Sequence, residues 1–206
     1  KMMPVAVLAD PELTIGLPRT LTVGTGMDAL SHSIEALCAP TYHPMAHGIG
    51  LEGCRLVFKH LPRAVADPAD LDSRTHMMSA AAMGAVAFQK GLGAMHALAH
   101  PIGAVFNTHH GMTNAVLMPY VLLANRAVIE PTIERLASYT SIDGGFDGLV
   151  DRVLTMRSDF DVPHTLVELG VDAGKVEMIA TAAVLDPSAS GNPLTVTKEF
   201  AAAAIP

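Results

Sequence analysis

Residues 91–125 read GLGAMHALAHPIGAVFNTHHGMTNAVLMPYVLLAN. This stretch contains no Asp, Glu, Lys or Arg, yet it carries four histidines, His96, His100, His109 and His110. Hydropathy alone would favour a membrane helix, but the prolines, glycines, asparagines and imidazoles of this stretch would leave many polar groups unsatisfied in lipid. A buried imidazole is costly unless it is hydrogen-bonded or ligated. The stretch therefore predicts a protein interior with a polar site built into it, and a bound metal ion is the first interpretation.

The rest of the composition is consistent with a large core around this site. The chain has 206 residues, of which 50% are hydrophobic, and a formal charge of −7. That length suffices for one large domain or two small ones, and without a basic run neither nucleic acid nor a membrane surface is an expected partner. Cys38 and Cys54 lack CxxC spacing, and the first apolar run is too short for a signal peptide. We therefore expect buried reduced thiols and a cytoplasmic protein.

The hydrophobic periodicity predicts an all-α helical bundle with one short N-terminal strand. The strand is expected over residues 3–8 and a connector over 11–26, in which Pro18 excludes a long helix and Gly24 and Gly26 indicate a turn. A turn-rich loop is expected over 186–194. Helices are predicted over the remaining segments, at about 27–37, 45–60, 71–88, 93–106, 112–125, 129–139, 146–157, 173–184 and 195–204.

Two residue pairs have the spacing that places side chains on one face of a helix. Asp28 and His32 lie four residues apart, which puts their Cβ atoms about 5–6 Å apart, close enough to share a metal ion. A solvated polar pair is the alternative. His96 and His100 repeat the spacing, and their alternative is a pair of core histidines bonded to backbone carbonyls.

One aspartate and three histidines would form a mixed oxygen and nitrogen site. Such a site suits Fe²⁺ or Zn²⁺ better than Ca²⁺ or Mg²⁺. His109 and His110 follow on a turn, from which either could approach the helix face that carries His96. Ala97 stands where the zinc-protease motif HExxH has its glutamate, so a hydrolase would lack its base.

Two segments closely resemble the iron-containing (group III) alcohol dehydrogenases: GTGMDALSHSIEA at residues 24–36 and GLGAMHALAHPIGAVFNTHHGMTNAVLMPYV at 91–121. In that family a dehydroquinate synthase-like helical C-terminal domain holds the metal, and an α/β N-terminal domain binds NAD(P). The likeness covers essentially the whole chain but only the helical half of the family. It implies that residues 1–25 are a strand and connector left from the nucleotide-binding domain, which is otherwise absent from this chain. Residues 26–206 would then form the helical metal-binding catalytic domain.

The resemblance also implies which residues bind the metal. The ligands would be Asp28, His32, His96 and His110, the last because the family's ligand directly precedes a glycine, here Gly111.

Further roles follow from the same resemblance. His100 would lie beside the nicotinamide and the substrate, as a cofactor-contacting and catalytic proton-relay group. Phe88 and Lys90 would line the substrate pocket, where Lys90 could pair with a substrate carboxylate, or could instead be a solvated lysine at a helix end. Leu17 and Leu21 would touch the cofactor.

The activity implied is that of a metal-dependent NAD(P)-linked alcohol dehydrogenase. It would interconvert a small alcohol with an aldehyde or ketone by reversible hydride transfer, using Fe²⁺ or Zn²⁺ and NAD or NADP. A homo-oligomer is expected, and the chain without a nucleotide-binding domain is expected to be inactive. A helical metal-dependent hydrolase and a non-catalytic metal-binding helical module are the alternatives.

Overall fold

The structure, a computed structural model, describes residues 4–206 and folds them into a bundle of α-helices joined by short 3-10 turns and loops. The prediction of an all-α class is confirmed. The described helices are α1 (Arg19–Cys38), α2 (Pro44–Ala66), α3 (Leu71–Ala87), α4 (Ala94–Phe106), α5 (His110–Tyr139), α6 (Gly145–Asp159), α7 (Val176–Leu185) and α8 (Lys198–Ala203).

The predicted N-terminal strand is not formed in the described residues. Met3 lies outside them, and residues 4–10 carry no strand pairing. Val5, Val7 and Leu8 are largely or fully exposed. A strand needs a neighbour to accept its backbone hydrogen bonds, and residues 4–206 provide no other strand.

Helix α1 begins at Arg19, well before the predicted start at Met27, so Gly24 and Gly26 lie inside a helix and not in a turn. A glycine inside a helix costs about 1 kcal/mol relative to alanine. Close packing explains its presence, because a Cβ on Gly26 would come within 2.3 Å of Cδ1 of Leu61 on α2. The predicted domain boundary between residues 25 and 26 falls within this helix and stays a prediction.

The two helices predicted over 112–125 and 129–139 are one continuous helix, α5. Pro119 and Pro131 lie inside it, although an internal proline removes a backbone hydrogen bond. The apolar residues around both prolines are buried, among them Leu117, Ile129 and Ile133. Tertiary packing therefore keeps the helix continuous.

Helix α5 is long and apolar enough to cross a membrane by length and composition alone. However, 61% of its most apolar window is buried inside the protein. The core helix of a globular domain passes the same test, so this feature is weak evidence for a membrane span.

Helix α1 is the central element of the bundle, because it packs against α2, α3 and α5. The backbones of α1 and α5 touch directly at two glycines. A Cβ on Gly111 would lie 2.1 Å from the carbonyl oxygen of Gly24 and 3.1 Å from Cβ of Asp28. This close approach places the first turn of α5, with His110, directly beside Asp28.

Both cysteines are free, as the sequence predicts. Cys54 is buried, and Cys38 is partly buried at the end of α1. Burial raises the pKa of the Cys38 thiol to about 12 and also raises the pKa of Cys54. Both groups therefore stay protonated and unreactive at neutral pH.

We expect Gly111→Ala to destabilise the protein by about 1–3 kcal/mol, because the added methyl group would force α5 away from α1. Gly48→Ala is the matched control: Gly48 lies in α2 and a Cβ there would meet no atom within 4 Å. That substitution should leave the free energy of unfolding unchanged or raise it by up to about 1 kcal/mol. Urea denaturation measures both, and equal stability of Gly111→Ala and the parent would contradict the proposed contact.

Candidate metal centre

Four side chains from three helices converge at one point. Asp28 and His32 come from α1, His96 from α4 and His110 from the first turn of α5, and one donor atom of each lies within 4.8 Å of the others. Asp28 Oδ1 is 3.7 Å from His96 Nε2 and 3.6 Å from His110 Nε2, while Asp28 Oδ2 is 3.9 Å from His32 Nε2. Donors bound tetrahedrally at about 2.0–2.2 Å from one ion are roughly 3.3–3.6 Å apart. The cluster could therefore hold a metal ion with little movement.

The cluster is buried on one side and open on the other. The side chain of His96 is only 2% exposed, whereas that of His110 is 41% exposed. Phe88 borders the cluster, with its ring centroid 4.9 Å from that of His32. A small molecule could thus reach the donors from the His110 side.

The buried carboxylate of Glu35 holds His96 in place. Its Oε2 lies 2.7 Å from His96 Nδ1, and its two oxygens also accept hydrogen bonds from the backbone N–H groups of Gly93 at 2.8 Å and Met95 at 2.7 Å. Glu35 therefore caps the first turn of α4, which has no side-chain cap of its own. With Nδ1–H donated to Glu35, the Nε2 lone pair of His96 faces Asp28 and is free to bind a metal.

Glu35 was not among the residues expected at the site, although the sequence contains a signal for it. Glu35 follows Asp28 by about two helical turns, so both lie on the same face of α1. A carboxylate on the same helix face as a metal ligand is well placed to hydrogen-bond another ligand of that site.

The protonation of the three histidines follows from their surroundings. Burial lowers the pKa of His96, but the hydrogen bond and charge of Glu35, together with Asp28, outweigh this, so its net pKa is raised. Burial lowers the pKa of His32 and of His110, and the negative charge of Asp28 only partly opposes it. His32 and His110 are therefore neutral at pH 7, as metal ligands must be.

The fully buried amide of Asn114, on α5, shows that the site has an excess of lone pairs. Its Nδ2 lies 2.8 Å from Asp28 Oδ1, 3.2 Å from His96 Nε2 and 3.1 Å from His110 Nε2. An amide nitrogen has only two hydrogens for these three acceptors. Its own Oδ1 is buried without a hydrogen-bond partner. These residues fit a bound cation, which would neutralise the converging lone pairs.

His100 lies next to this cluster and pairs with a residue that the sequence did not indicate. Its Nδ1 is 2.8 Å from Oδ2 of Asp186, and Oδ1 of the same carboxylate accepts a hydrogen bond from the backbone N–H of Ser188. The ring of His100 stacks on that of His110 at 5.6 Å between centroids, and its side chain is 44% exposed. The pair places an accessible imidazole, oriented by a carboxylate, beside the four donors.

His109, which the sequence left without a role, caps helix α5. Its Nδ1 accepts a hydrogen bond from the backbone N–H of Met112 at 3.3 Å. It does not belong to the donor cluster.

Lys90 is not the solvated lysine that one sequence interpretation allowed, and its expected place in a substrate pocket stays a prediction. Its side chain is buried, and its ammonium donates to the carbonyl oxygens of Ala36, at 2.8 Å, Leu37 and Ala39. His47 Nε2 lies 3.1 Å from the same nitrogen. An ammonium has three hydrogens, so Lys90 is fully used in capping the end of α1, where the helix dipole favours a cation.

Leu17 and Leu21, the two leucines expected to contact a cofactor, have different surroundings. Leu17 lines a cavity of about 280 Å³ together with residues of α1 and α3, whereas Leu21 is half-buried in the first turn of α1. Their role towards a cofactor stays a prediction.

Comparison with known proteins identifies the family. Residues 22–204 match the Fe-containing alcohol dehydrogenase family, C-terminal. The chain belongs to this family. Among its curated relatives, the 4-hydroxybutyrate dehydrogenase of Cupriavidus necator is 39% identical over 201 residues, which are 93% of this chain and 52% of that protein. The NAD-dependent methanol dehydrogenase of Bacillus methanolicus is 35% identical over 96% of this chain and 54% of its own length.

Solved structures of the Fe-containing alcohol dehydrogenase fold agree. The crystal structure of a 1,3-propanediol oxidoreductase superposes with a TM-score of 0.91 at 31% identity, covering 95% of this chain and 53% of that one. The alcohol dehydrogenase from Oenococcus oeni gives a TM-score of 0.84 at 27% identity, with the same coverage of both chains. The chain thus spans about half the length of the relatives it matches.

We expect Glu35→Gln to weaken Zn²⁺ binding about 10- to 100-fold, because His96 loses the carboxylate that orients it and raises its basicity. The glutamine NH₂ would also face the N–H groups at the start of α4, which should cost about 1–3 kcal/mol of stability. Competition with a chelating dye measures the affinity, and urea denaturation the stability. Glu134→Gln, at an exposed position of α5, is the control and should change neither.

The same variant should shift the pH dependence of binding. Because Glu35 raises the pKa of His96, Zn²⁺ must displace a proton from His96 already above pH 6.5, and affinity should fall about tenfold per pH unit below the raised pKa. In Glu35→Gln the fall should begin at lower pH. Identical pH profiles for parent and variant would contradict the role assigned to Glu35.

Proposed function

We propose that this chain is the metal-binding half of an NAD(P)-linked alcohol dehydrogenase, which interconverts a small alcohol with an aldehyde or ketone. The observation that carries the proposal is the convergence of Asp28, His32, His96 and His110 in a chain of the Fe-containing alcohol dehydrogenase family. The names of the relatives support oxidoreduction of small alcohols.

In this proposal the four side chains hold Fe²⁺ or Zn²⁺. Three imidazoles and one carboxylate are the donor types that these ions prefer, whereas Ca²⁺ and Mg²⁺ prefer oxygen ligands. Such an ion would supply Lewis acidity towards the alcohol or carbonyl oxygen, and a nicotinamide cofactor would supply the hydride chemistry.

The chain's own residues orient this chemistry. Glu35 fixes the Nε2 lone pair of His96 towards Asp28 and holds the first turn of α4 in place. Phe88, whose ring packs against that of His32, gives this ligand an apolar neighbour at the edge of the cluster. Preorganised groups of this kind need no rearrangement during the reaction.

His100 is the proposed proton-relay group. Its Nδ1–H donates to Asp186, so its Nε2 lone pair is available to accept a proton from a substrate hydroxyl and to return it in the reverse direction. Its exposed position beside His110 leaves the ring accessible from the open side. In the proposal His100, Leu17 and Leu21 also contact the nicotinamide cofactor, NAD or NADP.

The chain covers about half of its relatives, so we propose that activity requires a nucleotide-binding half as well. A homo-oligomer in the cytoplasm completes the proposal. The hydrolase alternative gains no support from Glu35, because both of its oxygens are bonded to α4 and His96 and cannot serve as a base.

The metal assignment predicts that about one Fe²⁺ or Zn²⁺ per chain is retained through desalting. Asp28→Ala and His96→Ala should each lower the affinity by more than the roughly 100-fold expected for losing a supporting partner. His164→Ala, at an exposed loop position, should retain the ion. Elemental analysis after gel filtration measures the content, and full retention in both ligand variants would overturn the assignment.

The relay assignment predicts a loss of about 10²- to 10⁴-fold in kcat for His100→Asn, since a general acid–base group contributes that much. The measurement is NAD(P)-linked oxidation of 4-hydroxybutyrate, 1,3-propanediol and methanol by a protein that also contains a nucleotide-binding half. His164→Asn is the control, and metal content should be unchanged in both variants. Wild-type kcat in His100→Asn would exclude the role, and turnover by the isolated 206-residue chain would contradict the need for a second half.

A further inference from the structure

We propose that His60, Asp72 and His76 form a second site for a divalent transition-metal ion, which ties α2 to α3 outside the candidate metal centre. His60 lies on α2, and Asp72 and His76 lie one turn apart on α3. This inference does not rest on the proposed dehydrogenase function.

The three side chains already have the spacing of a ligand set. One donor atom of each lies within 4.8 Å of the other two. Asp72 Oδ1 is 3.6 Å from His76 Nε2, within the range of donor separations in the first cluster. The rings of His60 and His76 stack at 4.1 Å between centroids, 30° apart. The imidazole of α2 and the two donors of α3 thus face one small volume.

A hydrogen bond to Nδ1 orients the buried imidazole of His60, as is common for histidines that bind metals. His60 is 2% exposed, and its Nδ1 lies 3.4 Å from Oγ of Ser73. Ser73 donates its only hydroxyl hydrogen to Oδ2 of Asp70 at 2.8 Å, so its oxygen can only accept from His60. The proton of His60 is therefore on Nδ1, and Nε2 is left with a lone pair. A carboxylate orients a histidine here through a serine, as Glu35 orients His96 directly.

The other two ligands are accessible. The side chains of Asp72 and His76 are 63% and 41% exposed, so an ion can enter from solvent, and water can complete its coordination. Two imidazoles and one carboxylate select Zn²⁺ and similar transition metals over Ca²⁺ or Mg²⁺.

The surrounding charges make this site weaker than the first. Arg63 lies 2.9 Å from Asp70 and 3.5 Å from Asp72, and the positive charges of Lys59 and Arg63 act on His60. Arg63 keeps Asp70 as its nearer partner when Asp72 binds an ion. We therefore expect Zn²⁺ to occupy the site at equilibrium but to be lost on desalting.

The test is Zn²⁺ binding to the whole chain, which equilibrium dialysis and isothermal titration calorimetry both measure. The parent should bind two ions, one tightly and one more weakly. His76→Ala and Asp72→Asn should each remove the weaker ion and leave the tight one, whereas His96→Ala should remove the tight ion and leave the weaker one. The control His164→Ala should bind two.

A stabilising effect of the weaker ion gives a second measurement. Because the ion binds the folded state across two helices, Zn²⁺ added beyond the first equivalent should raise the Tm of the parent and leave the Tm of His76→Ala unchanged. Far-UV circular dichroism confirms the fold of each variant, and His60→Gln tests the buried ligand separately. A parent that binds only one ion, or a His76→Ala variant that still binds two, would overturn the second site whatever happens to the first.

Discussion

A single buried carboxylate supports most of the candidate metal centre. Glu35 accepts two backbone hydrogen bonds from the start of α4 and a third from His96 Nδ1. Burial of such a charge is costly unless every lone pair is used, and here the helix N-terminus and the imidazole use them. The same bonds fix where α4 begins and which nitrogen of His96 faces the metal site, so the local fold and the ligand geometry depend on one side chain.

Small residues provide the second constraint. Asp28 and His110 can meet only because α1 and α5 touch at Gly24 and Gly111. A Cβ on Gly111 would overlap the backbone of Gly24, and a Cβ on Gly24 would overlap the ring of His109. Glycine makes an isolated helix less stable. Here, however, the close approach of the two helices allows ligands from distant parts of the chain to reach one ion. The helix propensity lost at these positions is offset by packing.

The sequence predicted most of the side chains at the metal centre but fewer of the residues that hydrogen-bond to them. All four ligands expected from the resemblance lie together, and His100 lies beside them. Glu35, Asn114 and Asp186 were missed, because each acts through a partner that is far away in the chain. The burial of Lys90 was missed for the same reason, because its carbonyl partners at the end of α1 are set only by folding. Its expected place in a substrate pocket stays a prediction.

The sequence by itself determined the all-α class and most of the helices, because periodicity is a local property of the chain. The i,i+4 spacing indicated the pairs Asp28/His32 and His96/His100, and the family resemblance implied the full ligand set with His110. It also placed wrong breaks, at Gly24 to Gly26 and near residue 126, since local propensity favours turns there. Only the tertiary structure decided that α1 and α5 continue through these positions, that residues 4–8 form no strand, and that Glu35 and Asp186 orient the histidines. The physical reason is that burial and hydrogen bonding between distant segments outweigh local preferences of about 1 kcal/mol per residue.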